Sequence, residues 1–133
     1  MVNTSQMDRS ERNQKISLGF KKRVLVIIPA YNEERSIGKV IGEVKHVLPQ
    51  SDVLVVNDGS SDCTSEKAEA SGAIVLDLPF NLGIGGALQA GYQYTYEKGY
   101  DIAIQVDSDG QHDPKEMDIK FRSRSRNQSR TRN

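Results

Sequence analysis

The most constraining feature of the sequence is the run RVLVIIP at residues 23–29, in which every residue after the arginine is apolar. An unbroken run of β-branched residues indicates a strand that is buried on both faces. Three similar runs follow, at residues 52–56, 73–78 and 101–106, and segments with helical periodicity separate them. This alternation predicts an α/β fold, a mostly parallel sheet with helices on both faces.

Three helices are predicted between these strands. The first carries apolar residues at three- and four-residue steps, and we expect Asn32 to cap it, with Glu33 and Glu34 in its first turn. Asp62 is expected to cap the second helix, and a glycine ends each of the last two. One apolar face of the third helix is expected to hold Ile84, Ala87, Leu88, Gly91, Tyr92 and Thr95.

Charge is distributed unevenly, although the whole chain carries 18 basic and 18 acidic residues. Residues 24–117 have a net charge of −9, whereas residues 1–23 and 118–133 carry +4 and +5. We expect residues 1–22 to be a disordered extension and residues 118–133 a disordered Arg/Ser-rich tail, because both contain few apolar groups. Three interpretations of the tail are open: an anion-binding arm, an unstructured extension, or the product of a shifted reading frame. No nucleic-acid-binding module is recognisable, so no nucleic-acid partner is expected.

Neither a membrane span nor a secretory signal is predicted. No apolar run approaches the ~18–20 residues that a spanning helix needs, and the polar N-terminus lacks the apolar segment of a signal peptide. Cys63 is the only cysteine, which excludes a disulfide framework within the chain. These features favour a cytoplasmic protein.

Ligands of parallel sheets bind beyond the carboxyl ends of the strands, which selects the loops PAYNEE, NDGSSD, PFNLGIGG and DSDGQHDP. Asp107 and Asp109 follow the fourth strand two residues apart and could share Mg²⁺ or Mn²⁺, or form a solvated turn. Asp58 follows the second strand and could accept hydrogen bonds from a base or ribose, or open an Asx-turn. Tyr31 could pack along a base or ribose, or be an ordinary buried aromatic.

The glycines of NLGIGG do not match a dinucleotide-binding fingerprint. After Gly83 and Gly85, the position of the third glycine is occupied by Leu88, and the motif follows the third strand instead of the first. We expect Gly83, Gly85 and Gly86 to let the loop and helix pass close to a neighbour.

Four segments together resemble a known family: VLVIIPAYNEERSIGKVI, DVLVVNDGSSDCT, NLGIGGALQAGY and IAIQVDSDGQHDP. In this order they resemble the N-terminal half of the family 2 glycosyltransferases with a GT-A fold, and especially the polyprenol-phosphate sugar transferases. The resemblance covers residues 24–117. It implies a UDP- or GDP-linked sugar donor, Mg²⁺ or Mn²⁺, a polyprenyl phosphate as acceptor, and peripheral association with the cytoplasmic face of a membrane.

The resemblance also implies site residues, carried over by position. The nucleotide-binding set is Pro29, Ala30, Tyr31, Glu33, Asp58 and Asp107. The metal-binding set is Asp107, Asp109 and Gln111. No catalytic base is implied, because the family pattern stops near Met117, before the acceptor half. We therefore expect residues 23–117 to be the nucleotide-sugar-binding half of a truncated GT-A domain, with a non-catalytic binding module and an unstable truncated product as alternatives.

Overall fold

The computed structural model describes residues 22–109, which form a four-stranded sheet and three helices. In chain order the elements are β1 (Val24–Ala30), α1 (Ile37–Val47), β2 (Asp52–Asn57), α2 (Thr64–Ala70), β3 (Ile74–Asp77), α3 (Gly83–Glu97) and β4 (Ile102–Gln105). All neighbouring strands are parallel, in the order β3-β2-β1-β4. The four predicted strands are therefore confirmed, each within one residue at either end. The predicted tail and the predicted extension up to residue 21 lie outside the described residues.

The helices cover both faces of the sheet, as predicted. α1 and α2 share one buried cluster with Val26 and Ile28 of β1, whereas α3 packs on the other face against Leu25 and Ile27. The chain steps from β1 to β2 to β3 in one direction and then returns across the sheet to β4, so right-handed crossovers place α3 on the opposite face. Within residues 22–109, no helix combines the length and the apolar character needed to cross a bilayer.

α1 begins later than predicted, at Ile37, and this corrects the predicted cap. Asn32 does not cap the helix, and Glu33 and Glu34 precede its first turn. A separate turn lies between, in which the Ile37 N–H donates to the Glu33 carbonyl at 2.9 Å. The capping prediction was wrong because the side chain of Asn32 bonds to another loop, described below.

α3 lies close to the sheet because Gly91 has no side chain. A Cβ at Gly91 would lie 2.7 Å from Ile27 Cγ2, so a larger residue would push the helix away. The predicted close approach to a neighbour is wrong for Gly83 and Gly85, where an added Cβ would meet no atom within 4 Å. At Gly86 an added Cβ would meet Leu82 at the start of the same helix, and not a neighbouring element.

The predicted apolar face of α3 is confirmed except at its first turn. Ala87, Gly91 and Thr95 are buried against the sheet, and the Thr95 hydroxyl donates to the Gly91 carbonyl at 2.8 Å. Ile84 was expected on this face but is exposed. The reason is its position in the first turn, which precedes the part of α3 that packs on the strands.

Tyr100 holds the amino end of the sheet together. Its buried ring stacks on Tyr94 with centroids 6.5 Å apart, and the Arg23 guanidinium lies 4.4 Å from its centroid. Its hydroxyl donates to Asp52 Oδ2 at 2.5 Å, which joins the start of β2 to the residues before β4. Burial, together with the hydrogen bond and the charge of Asp52, raises the pKa of Tyr100 to about 12.

We expect Tyr100→Phe to lower the free energy of unfolding at neutral pH by about 1.5–3 kcal/mol, because it removes a hydrogen bond to a carboxylate. Unfolded tyrosine loses its proton near pH 10, whereas folded Tyr100 keeps it to about pH 12. The unfolded state therefore binds fewer protons in this window, and wild-type stability should fall as pH rises from 10 to 12.

Urea unfolding of both proteins between pH 7 and pH 12 measures this effect. The difference in stability between wild type and Tyr100→Phe should shrink above pH 10. A difference that stays constant or grows across that range would contradict the expected role of Tyr100.

Candidate functional site

The strand order places a crevice at the carboxyl ends of β1 and β4. β1 is followed in the chain by β2 on one side, whereas β4 lies on its other side. Such a switch point opens a crevice in which ligands of parallel sheets bind. Four segments leave the strands at this end: loop 1 (residues 31–36), loop 2 (58–63), loop 3 (78–82) and loop 4 (106–109).

Loops 1 and 2 are joined through Asn32. Its N–H donates to Ser60 Oγ at 2.8 Å, and its Oδ1 accepts from the Ser61 N–H at 2.8 Å. Asn32 has a φ of 52°, a left-handed conformation that asparagine adopts more readily than most residues. This backbone conformation turns its side chain toward loop 2, which explains why it does not cap α1.

Asp62 and the buried Thr64 extend the same junction. The Glu33 N–H donates to Thr64 Oγ1 at 2.9 Å, and the Glu34 N–H donates to Asp62 Oδ2 at 3.2 Å. Asp62 Oδ1 also accepts from the N–H and the hydroxyl of Thr64, but the N-cap position of α2 is Cys63 and not Asp62, so the predicted cap is one residue too early. Partial burial acts to raise the pKa of Asp62, but these hydrogen bonds outweigh it and lower the pKa below 3.8.

Asp58 joins loop 2 to the start of α3. Its side chain is only 4% exposed, and its two oxygens accept from the N–H groups of Leu82 at 2.7 Å and Gly83 at 3.0 Å. A carboxylate is favourable there because the first N–H groups of a helix lack partners. The Asx-type bond considered for Asp58 is made by Asn57, whose Oδ1 accepts from the Ser60 N–H at 3.2 Å.

Gly59 brings loop 2 into contact with loop 3. Its φ is +73°, and an added Cβ would lie 2.6 Å from Asn81 N and 2.7 Å from the carbonyl carbon of Phe80. Both the backbone conformation and the available space therefore require glycine. The four loops predicted to converge do so, and loop 2 is the segment that contacts its neighbours on both sides.

The predicted nucleotide-binding residues at the end of β1 and just after it differ in how exposed they are. Pro29 and Ala30 are buried in the strand, and the Ala30 carbonyl accepts from the Asp58 N–H at 2.8 Å. Tyr31 is 50% exposed, so the alternative of a buried aromatic is wrong and its ring is accessible to a ligand. Glu33 is half-buried, and its Oε2 accepts from the Ser36 hydroxyl at 3.0 Å.

Asp107 and Asp109 are exposed at the carboxyl end of β4, and Ser108 between them is 8% exposed. Both acidic side chains therefore point away from the core, as the two-residue spacing predicts. Within residues 22–109, no three His, Cys, Asp or Glu side chains come together as a metal cage. The pair suits Mg²⁺ or Mn²⁺, which bind one or two carboxylates and complete their shell with water and phosphate. Gln111, the third predicted ligand, lies outside the described residues.

Several residues that hold the loops together carry no recognisable signal in the sequence. Ser36 donates to the carbonyl of Ser108 at 2.6 Å and so connects loop 1 to loop 4. A serine just before a helix and a threonine at the start of one are both common, so neither Ser36 nor Thr64 could be singled out. Gly59 had a signal, because a glycine after an aspartate at a strand end is typical of a left-handed turn.

An apolar surface lies beside the site. Phe80, Leu82 and Ile84 are 64%, 48% and 61% exposed, and we call them the loop-3 patch. They occupy alternate positions from loop 3 into the first turn of α3. The loop-3 patch borders the N-terminus of α3, the part of the helix that Asp58 holds.

The sequence profile described as Glycosyl transferase family 2 matches residues 25–119 of the chain. The undecaprenyl-phosphate mannosyltransferase of Micrococcus luteus is 41% identical over 100 residues, which cover 71% of this chain and 41% of that protein. The polyprenol monophosphomannose synthase of Mycolicibacterium smegmatis is 36% identical over 102 residues, covering 72% and 38%. The chain thus spans about two fifths of the length of these curated relatives.

Solved structures of glucosyl-3-phosphoglycerate synthase from Mycobacterium tuberculosis have the same fold. Its complex with Mn²⁺ and UDP-glucose is 31% identical with a TM-score of 0.54, over 66% of this chain and 33% of that one. Its complex with Mg²⁺ and UDP is 30% identical with a TM-score of 0.54, over 65% and 33%. These similarities confirm the GT-A, Rossmann-like fold class that the resemblance implied.

We expect Gly59→Ala to lower the free energy of unfolding by about 1–3 kcal/mol. The positive φ at this position is strained for alanine, and the added Cβ would clash with the backbone of loop 3. Gly42→Ala is the matched control, since Gly42 lies within α1 and an added Cβ would meet no atom within 4 Å. That control should stabilise the protein by about 0.5–1 kcal/mol. Urea unfolding measures both variants, and changes of the same sign would contradict the account of loop 2.

Proposed function

Because the chain belongs to glycosyl transferase family 2, we propose that its carboxyl-end crevice binds a UDP- or GDP-linked sugar through a divalent cation. The observation that carries the proposal is the convergence of four loops at the switch point between β1 and β4, where Asp107 and Asp109 are exposed. The complexes of the structural neighbour with UDP-glucose and Mn²⁺, and with UDP and Mg²⁺, support this ligand class. We propose residues 23–117 as the nucleotide-sugar-binding part.

The charge of the loops explains why a cation is needed. Apart from the exposed cation Arg35, the charged residues of loops 1 to 4 are Glu33, Glu34, Asp58, Asp62, Asp107 and Asp109. A diphosphate without a cation would be repelled by these carboxylates. A divalent ion between the acid pair of loop 4 and the diphosphate replaces that repulsion with attraction, and when bound it offsets charge on the departing diphosphate.

The remaining proposed contacts follow from exposure and bonding. Tyr31 would lie along the base or ribose, which its exposed ring supports. Asp58 is held by two backbone N–H groups, so it can offer a ligand only the lone pairs that remain on its fixed oxygens. Pro29 and Ala30 would contribute backbone, because their side chains are buried, and Glu33 would contact the ligand beside Tyr31.

Transfer of the sugar to a polyprenyl phosphate is the activity that we propose for the whole protein. Two relatives support this acceptor class, since they are an undecaprenyl-phosphate mannosyltransferase and a polyprenol monophosphomannose synthase. Donor binding and transfer are separate expectations for this chain. The proposed donor site lies in the described residues apart from Gln111, and none of the described residues is assigned as a catalytic base. Donor binding without transfer is therefore the second candidate function.

We expect Asp109→Asn to weaken metal-dependent binding of UDP or GDP at least about 100-fold, because loss of a direct ligand should exceed the 10–100-fold effect of losing an outer-shell partner. Calorimetric titration with each nucleotide, with and without Mn²⁺, measures it. Glu69→Gln is the control, because Glu69 is an exposed acid at the end of α2, near the amino end of the sheet. Equal nucleotide affinity of wild type and Asp109→Asn in Mn²⁺ would contradict the proposed metal site.

We propose that the loop-3 patch contacts the membrane that contains the acceptor. Its three exposed apolar side chains lie beside the site, and the basic ends of the sequence, residues 1–23 and 118–133, suit an anionic lipid surface. The double substitution of Phe80 and Ile84 to serine should lower binding to phosphatidylglycerol vesicles at least about tenfold, because both side chains would lose apolar burial.

Vesicle co-sedimentation measures this binding. Val47→Ser is the matched control, because Val47 is an exposed apolar residue at the end of α1, near the amino end of the sheet. Equal losses in the control and in the double variant would show that the loop-3 patch is not the contact surface.

A further inference from the structure

We propose that Ser36 is a positioning residue for the acid pair Asp107 and Asp109. The inference rests on the proposed metal site and adds a residue that belongs to neither the nucleotide-binding nor the metal-binding set. Its basis is the hydrogen bond from Ser36 Oγ to the carbonyl of Ser108 at 2.6 Å, which joins residues 72 positions apart in the sequence. The accepting carbonyl lies in the chain between the two acidic residues.

Ser36 is itself held firmly at the start of α1. Its N–H donates to the Glu33 carbonyl at 3.1 Å, and its carbonyl accepts from the Val40 N–H at 3.0 Å. The next residue, Ile37, is fully buried, and Val40 one turn later is also in the core. The Ser36 hydroxyl therefore extends from backbone that the core holds in place.

The Ser36 hydroxyl also links loop 4 to the start of α2. Its oxygen lies 3.0 Å from Glu33 Oε2, and its single proton is shared between this carboxylate and the closer Ser108 carbonyl. The N–H of Glu33 donates in turn to Thr64 Oγ1 at 2.9 Å. A continuous series of contacts thus runs from the start of α2 to the backbone between the two acids.

This series restrains the geometry of the acid pair. Ser108 is nearly buried, and the peptide group that follows it cannot rotate without breaking the bond to Ser36. Such a rotation would change the separation and direction of the Asp107 and Asp109 carboxylates. Ligands that are ordered before binding lose less conformational freedom when the cation arrives, so the ordered pair binds the cation more tightly.

Three variants test the role of Ser36. Ser36→Ala removes the hydroxyl, and Ser36→Thr retains one. Ser51→Ala is the matched control, because Ser51 Oγ donates to the Leu48 carbonyl at 2.8 Å in the connection before β2, at the amino end of the sheet. The first measurement is made without metal: the carbonyl carbon resonance of Ser108 and the amide exchange rate of Asp109 should change in Ser36→Ala alone.

The second measurement is Mn²⁺ affinity in the presence of UDP or GDP, from the electron paramagnetic resonance signal of free Mn²⁺. We expect Ser36→Ala to bind Mn²⁺ about 3- to 10-fold more weakly, the effect of losing one neutral hydrogen bond. Ser36→Thr and Ser51→Ala should stay within about twofold of wild type, a difference smaller than the effect of one such bond.

The outcomes separate the two proposals. Wild-type affinity in Ser36→Ala, or an equal loss in Ser51→Ala, would overturn the role of Ser36 while leaving the metal site in place. A wild-type protein that takes up no Mn²⁺ with either nucleotide would overturn the proposed function, and the positioning role with it.

Discussion

Burial of β1 on both faces is the constraint on which the rest of the structure depends. Six consecutive residues of this strand, Leu25 to Ala30, are buried and pair with β2, and the strand pairs with β4 on its other side from Val24 to Ile27. Because alternate side chains enter opposite cores, the strand needs helices on both faces. The same arrangement makes β1 one side of the switch point, so the end of the most buried strand defines one wall of the crevice.

The acids at the carboxyl end of the sheet fall into two groups that differ in their surroundings. Asp58 and Asp62 accept backbone N–H groups of neighbouring loops, which satisfies their charge and joins the loops into one unit. Asp107 and Asp109 are exposed on the short turn after β4. The first group builds the site, and the second is accessible to a cation. A closely packed acidic end of this kind is stable because most of its carboxylates are hydrogen-bonded to the fold itself.

The strands, the two-sided helical layers and the edge of the sheet at which the loops meet could be predicted because they follow from periodicity and from the rule for parallel sheets. The roles of individual loop residues could not, because they depend on contacts between loops distant in sequence. Asparagine is a residue type that often caps helices, but the side chain of Asn32 accepts a hydrogen bond from Ser61 in loop 2. Asp58 bonds to the first N–H groups of a helix that begins 25 residues later in the chain. The spacing of Ile84 puts it in line with the buried face of α3, but it is exposed because the first turn of the helix precedes the part that packs on the sheet.

The central claim is that the four loops form one site for a divalent cation and a nucleoside diphosphate. Broadening of amide resonances by bound Mn²⁺ tests it most directly, because the effect falls steeply with distance from the ion. With Mn²⁺ and UDP or GDP, we predict broadening at Asn32 and Ser108, with unchanged resonances at Asp52 and Gly72 near the amino end of the sheet. Broadening at the amino end, or none at saturating Mn²⁺ and nucleotide, would contradict the account.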